Sequence, residues 1–361
     1  MVVTADSDLA ERIRSLRNLG FRRDRRSLGL LFVAPVVVLS LVGAVWGVAT
    51  ERAPVVVLAT DRFSGPANVI DRFLASSAIH GRRATFDDGL RQLRGGEADA
   101  LVWLDSPNAT LHIVTEGSDP LANGTIGAAV QRAVADGLSS LGQLPGPKVV
   151  IEQLYGGADY TLLDYLAPVL VAFFAFFFIF LLSAVSFLRE RTTGTLERLM
   201  ATPLRRGELV LGYLAGFSVF ALLQAIVILL FTVLVLRVHY RGNLATIFIV
   251  EAVLVVGAVS LGLLVSAAAR NELQAVQFVP IVLLPQVFLS GLLIPVDQLP
   301  DYLRPLSAVL PLTYANEALR SVMIKGYELA DPLVLRDIGV LVAFGLVMAI
   351  GAVTSIRREV A

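Results

Sequence analysis

Six stretches of the chain are almost continuously apolar: 28–48, 166–187, 214–236, 245–268, 276–294 and 335–356. Each is close to the length of about 20 residues that a helix needs to cross a bilayer core. The first follows an arginine-rich segment, and no A-x-A site closes it before Glu51. It therefore reads as a retained span rather than a cleaved leader. Between the first and second spans the pattern changes. Pro54-Val-Val-Val-Leu58, Leu101-Val-Trp-Leu104 and Leu111-His-Ile-Val114 read as strands, while 66–78, 86–96 and 122–141 read as helices. Val69, Phe73 and Leu74 share one face of the first of these helices. The glycines and prolines of 142–148 predict a loop leading back to the membrane. No internal repeat is visible. The expected fold is thus an α-helical polytopic membrane protein with six transmembrane helices. An α/β domain over 49–161 is inserted between the first and second, and 162–361 forms a five-helix transmembrane domain.

Composition agrees with this pattern. Of 361 residues, 56% are hydrophobic and only 17% charged, against about 25% charged in soluble domains. Thirty basic residues balance thirty acidic ones, so net charge points to no nucleic-acid partner. Their distribution sets an orientation. Residues 1–27 carry seven arginines against four acids, and the 188–212 loop carries five against three. Arg270, Arg357 and Arg358 follow the fourth and sixth spans. By the positive-inside rule these segments and both termini are cytoplasmic, with Arg237 and Arg241 against the trend. Residues 49–161 are then extracytoplasmic, with nine basic and thirteen acidic residues. Leu9, Ile13, Leu16 and Leu19 recur near helical spacing among arginines. Residues 1–27 thus read as a cytoplasmic amphipathic basic helix on the membrane surface, or as a solvated basic tail.

Several chemistries are excluded. There is no cysteine, so no disulfide or thiolate is available. His80, His112 and His239 are too scattered for a metal site. The only lysines, Lys148 and Lys325, follow proline and isoleucine, so no Walker A loop exists. No catalytic residue, metal or cofactor is expected in this chain.

The loop after the second span reads Glu190-Arg-Thr-Thr-Gly194-Thr195-Leu-Glu197-Arg-Leu-Met-Ala-Thr-Pro203. After the fifth span come Ser290-Gly291, Pro295, Leu299-Pro300, Leu310-Pro311-Leu-Thr-Tyr314, Glu317-Ala-Leu-Arg320 and Gly326. In order and placement these resemble the membrane subunits of ABC-type exporters, the type-two permease family. The family often has Gly-Lys where this chain has Gly212-Tyr213.

The resemblance implies a cytoplasmic ABC ATPase partner in two copies, which binds ATP and magnesium. It also implies a second permease chain forming a homodimer in the lipid bilayer of the cytoplasmic membrane. It assigns ATPase coupling to Glu190, Arg191, Gly194, Thr195, Glu197, Arg198, Leu199 and Pro203. The residues themselves allow two readings. Leu196, Leu199 and Met200 form an apolar ridge ended by Pro203, suited to a groove on a partner or to a connector lying on the membrane. The family caps its pathway with an outer re-entrant segment, here 296–326, which includes Pro300, Pro311, Tyr314, Glu317 and Arg320 and is preceded by Gly291 and Pro295. An exterior loop with amphipathic turns is the plainer reading. Pro280 and Pro285 are expected to interrupt the fifth span.

Glu251 stands in the outer part of the fourth span, as a pathway residue or as an interfacial glutamate near Arg237 or Arg241. Phe173, Phe177 and Phe180, with Gln286, could line a route for an apolar compound, although such aromatics commonly pack against lipid and helices. Ala258, Gly262 and Ser266 form a small-residue stripe that allows close helix approach. The leading function is a permease moving a drug, lipid or other amphiphile, driven by a separate ATPase. An ion-coupled secondary transporter and a membrane sensor using the outer domain are the alternatives.

Overall fold

The computed structural model describes residues 53–63, 67–105, 110–118, 120–138, 148–156, 160–194, 206–269 and 272–355. The expected basic helix at 1–27 and first span at 28–48 lie outside the described residues.

The first unit is a five-stranded mixed sheet with helices on both faces. Its elements are β1 (Val55–Ala59), α1 (Ala67–Leu74), β2 (His80–Ala84), α2 (Phe86–Arg94), β3 (Ala100–Asp105), β4 (Thr110–Thr115), α3 (Pro120–Leu138) and β5 (Lys148–Gln153). The strand order is β2-β1-β3-β4-β5, with only the β3–β4 pair antiparallel. Alternation along β1 feeds two cores. Val56 and Leu58 join Phe73 of α1 and Val130 of α3, whereas Val57 and Ala59 join Leu93 of α2. A run apolar at every position is what a strand covered on both faces requires. Thr85 starts α2 by accepting a hydrogen bond from the Asp88 amide at 3.3 Å.

The strands and helices expected from the pattern are present, with shifted ends. β2 and β5 are additional. Both are edge strands; β2 reads His-Gly-Arg-Arg-Ala with no buried side chain, and β5 is almost wholly exposed. With one edge and much of their surface in solvent, they carry no apolar alternation to detect.

The second unit is a helix bundle: α4 (Leu162–Thr192), α5 (Arg206–Leu230), α6 (Leu244–Ala268), α7 (Glu272–Leu289), the short α8 (Arg304–Ser307), α9 (Pro311–Arg320) and α10 (Pro332–Ser355). A π-helical turn, Phe231–Val235, extends α5, and another, Ser321–Lys325, follows α9. Among the described residues, four helices are long and apolar enough to cross a membrane: Leu162–Thr192, Gly207–Val235, Leu244–Ala268 and Pro332–Ser355.

α7 departs from expectation in two ways. It is continuous through Pro280 and Pro285 rather than interrupted by them. Inside a packed bundle, neighbouring helices compensate for the backbone groups that proline releases. It also stops at Leu289, short of the expected 294, because Gly291 takes a left-handed conformation at φ 80°.

α6 is the centre of the bundle. It packs along both α4 and α10, and Ile247, Val250, Leu254, Ala258 and Leu263 are fully or almost fully buried. The small-residue stripe faces α4 of the same chain. A β-carbon on Gly262 would stand 2.0 Å from Ser183 Oγ and 2.9 Å from the Phe180 carbonyl oxygen, so only glycine allows this approach. On its α10 side, Gly257 and Gly345 meet backbone to backbone: a β-carbon on Gly345 would lie 3.4 Å from Gly257 Cα.

α4 begins with a capping box. Thr161 N donates to Asp164 Oδ2 at 2.6 Å, and Asp164 N donates back to the Thr161 hydroxyl at 3.4 Å. The second Asp164 oxygen accepts from His239 N at 2.7 Å, tying the start of α4 to the connection between α5 and α6.

Candidate functional site

Three groups of candidate residues occupy three places. The first is the far end of α4. This helix stops where Gly194 adopts φ 77°, while Thr193 N donates to the Arg189 carbonyl at 2.9 Å. Just before this stop, Arg191 reaches across to the end of α6. Its Nη1 donates to the Ser266 carbonyl at 2.6 Å and to the Ala269 carbonyl at 3.3 Å. Terminal carbonyls of a helix lack intrahelical donors and carry partial negative charge, so a guanidinium is their natural partner. Glu190 accepts from the Tyr213 hydroxyl of α5, and Tyr213 also packs edge-on against Phe187. Three helices are therefore joined where the motif loop begins. Glu190, Arg191 and Gly194 belong to this junction; Thr195, Glu197, Arg198, Leu199 and Pro203 lie outside the described residues. Tyr213 takes the place where the family often has lysine. Its clamp on Glu190 appears only once α4 and α5 are packed.

The second place is the bundle interior. Glu251 is 0% exposed, and neither carboxylate oxygen has a hydrogen-bond partner among the described residues. It thus sits inside the bundle and not at an interface beside Arg237 or Arg241. Burial of a partnerless carboxyl group is costly. Phe180 is also fully enclosed, stacked on Phe176 with centroids 5.9 Å apart. Phe173 and Phe177 are half-buried and stacked on each other at 5.8 Å. Gln286 is 1% exposed and donates to the Val282 carbonyl at 3.4 Å. Phe173, Phe177 and Phe180 thus all belong to the apolar core of the bundle.

The third place is the seam between the bundle and the sheet unit. Short helices fill 296–325: a 3₁₀ turn at Val296–Gln298, then α8, α9 and the π turn. α9 is mostly buried, its face of Leu312, Ala315, Ala318 and Leu319 entering the bundle core. Asn316 donates to Ser290 O at 2.9 Å, Arg320 to Gly291 O at 3.1 Å and Tyr314 to Ala308 O at 2.8 Å. Glu317 pairs at 2.7 Å with Arg336, which also bonds Asp337 on α10. Pro311 starts α9, and the Pro300 carbonyl accepts from Leu303 N at 2.9 Å. Gly291, Pro295, Glu317 and Arg320 come together on one cavity of about 340 Å³ shared with the sheet unit.

Across the seam, Lys325 pairs with Glu116 at 2.6 Å, Tyr165 donates to Gln153 at 3.0 Å, and Arg241 donates to the Gly156 carbonyl at 3.1 Å. Burial, with the Tyr327 hydroxyl beside it, pushes the Tyr155 phenol up to about 12. Sequence reading misses Glu116, Tyr155 and Lys325 because their partners stand far away in the chain.

The profile described as "ABC-2 family transporter protein" matches residues 25–354, nearly the whole chain. The chain belongs to the ABC-2 transporter family. Over 182 residues it is 34% identical to ABC transporter G family member 20 of Dictyostelium discoideum, covering 50% of this chain and 25% of that one. Over 147 residues it is 30% identical to the probable multidrug ABC transporter permease YbhS of Escherichia coli (strain K12), covering 40% of this chain and 39% of the other. Over 175 residues it is 25% identical to the linearmycin resistance permease protein LnrN of Bacillus subtilis (strain 168), covering 48% and 45%. The matched stretches span between a quarter and somewhat under half the length of these relatives. Membership in the ABC-2 family, with its long apolar helices, makes this a multi-pass membrane protein.

Proposed function

We propose that this chain is the permease subunit of an ATP-driven exporter. It acts with a separate cytoplasmic ATPase that holds ATP and magnesium, and it moves a drug, lipid or other amphiphile across the cytoplasmic membrane. Family membership carries the reading, and two relatives are named as a multidrug permease and a resistance permease. The arginine asymmetry supports an inside location for the Arg191 end of the bundle and an outside location for the sheet unit. Two permease chains and two ATPases complete the assembly.

The junction at Glu190 and Arg191 suggests how force enters. The ATPase seats the 195–203 segment, and its closure on ATP displaces the end of α4. Arg191 carries that displacement to α6, and Glu190 carries it through Tyr213 to α5. One push therefore moves three helices together. The central helix α6 passes the movement to α10 across the Gly257–Gly345 contact.

The test is copurification of tagged chain with the soluble proteins of its own cell, followed by ATP-dependent transport in proteoliposomes. A bound ATPase and ATP-dependent flux are expected; transport by the chain with no ATPase bound would refute the proposal. Arg191→Leu is expected to lower flux through the complex while the protein still inserts in the membrane. Undiminished flux would remove Arg191 from the transmission path.

A further inference from the structure

The cavity at the seam has a chemistry of its own. Its volume, about 340 Å³, lies within the range of about 300–1,000 Å³ usual for small-molecule sites. The sheet unit and the helices after Gly291 each supply one side of it. Its carboxylates are already engaged within the protein. Glu116 pairs with Lys325 at 2.6 Å and accepts from Ser118 N at 2.9 Å. Glu317 pairs with Arg336 at 2.7 Å, and Asp99 accepts from Val55 N at 2.6 Å. A cationic ligand would have to break one of these pairs or stay unpaired, at a desolvation cost.

Two neutral groups on the wall are unmet among the described residues. Asn316 is 2% exposed. Its amide nitrogen is committed to the Ser290 carbonyl at 2.9 Å and hydroxyl at 3.1 Å, which fixes its orientation and leaves Oδ1 as a buried acceptor with no donor. On the sheet-unit side, Asn123 Nδ2 is a buried donor with no acceptor. A buried acceptor and a buried donor, one from each unit, ask for groups that both give and take hydrogen bonds. A hydroxyl does both, and it brings no charge.

We infer that this cavity binds an uncharged polyol group, with a ligand hydroxyl donating to Asn316 Oδ1 and a ligand oxygen accepting from Asn123 Nδ2. The polyol is either a free saccharide or the sugar head of a lipid lying at the membrane surface. Binding belongs to the permease chain itself and needs neither ATP nor a partner, so it stands whether or not the transport reading holds.

The test uses the full chain reconstituted in phosphatidylcholine nanodiscs. Maltose is titrated calorimetrically, and in a second arm nanodiscs with and without a diglucosyl diacylglycerol are compared by native mass spectrometry. Saturable maltose binding assigns a free-saccharide site; retention of the glycolipid alone assigns a lipid-borne head. In either case Asn123→Leu, which removes the donor at similar size, is expected to weaken binding about tenfold or more, as the loss of a buried hydrogen bond does. Asn316→Leu is expected to act likewise, and Asn123→Leu alone decides the matter if that variant does not fold. Absence of binding in both arms, binding unaffected by Asn123→Leu, or preference for phosphatidylglycerol over the glycolipid would overturn the inference.

Discussion

At the scale of single residues, polar groups placed where polarity is expensive carry the information. Glu251 is visible in the sequence as an acid inside an apolar run. That it is 0% exposed and without a partner among the described residues cannot be read there, because depth depends on the packing of α4 and α10 around α6. Replacing Glu251 by methionine should raise thermal stability by about 1–3 kcal/mol, the usual cost of an unmet buried polar group. If Glu251 serves the pathway, the same variant loses transport; melting in detergent and flux in proteoliposomes separate the two effects. Tyr155 gives a pH signature. A free phenol ionises near 10.0, whereas burial against Tyr327 holds this one to about 12. Between those values the unfolded chain releases a proton that the folded chain keeps. Stability should therefore fall as pH rises from about 10 to about 12 and be unaffected by this group below that window. A denaturation series over that range checks it, and Tyr155→Phe should reduce the slope by this group's share.

At the scale of elements, length and periodicity are enough to place the long helices and the interior strands. The edge strands β2 and β5 escape that reading, since neither has a buried face to impose alternation. The prolines of α7 mislead for a related reason: their local penalty is plain in the sequence, and the neighbouring helices that offset it are not. The stripe of Ala258, Gly262 and Ser266 is legible as a contact face, but its partner is not. The bundle assigns that face to α4, with Ser183 against Gly262. Gly262→Val should destabilise the bundle by about 1–3 kcal/mol through overpacking, measured as a lower melting temperature. An unchanged melting temperature would mean that α4 and α6 part easily here.

At the scale of the whole molecule, the sheet unit and the bundle meet through charge and hydrogen bonds as well as packing. Lys325 and Glu116 pair at 2.6 Å with side chains 20% and 23% exposed. Lys325→Met should leave Glu116 without its cation and loosen the seam, seen as faster proteolysis within 53–156. The paired replacement Lys325→Met with Glu116→Leu should recover much of that loss, because no unmatched charge remains. Equal damage in both variants would show that the pair contributes little.

The sequence by itself determined the features set by local composition: long apolar helices, an α/β unit ahead of them, an arginine bias in the short loops, and the motifs that resemble the ABC-2 family. Each depends on residues close together in the chain, where periodicity and transfer free energy act directly. The tertiary structure alone decided which groups meet. Arg191 on the carbonyls of α6, Glu190 under Tyr213, the enclosure of Glu251 and the cavity between Asn123 and Asn316 join residues tens to nearly two hundred positions apart. Such contacts are selected by packing and by the cost of unmet polar groups, which exist only once the helices and the sheet have come together.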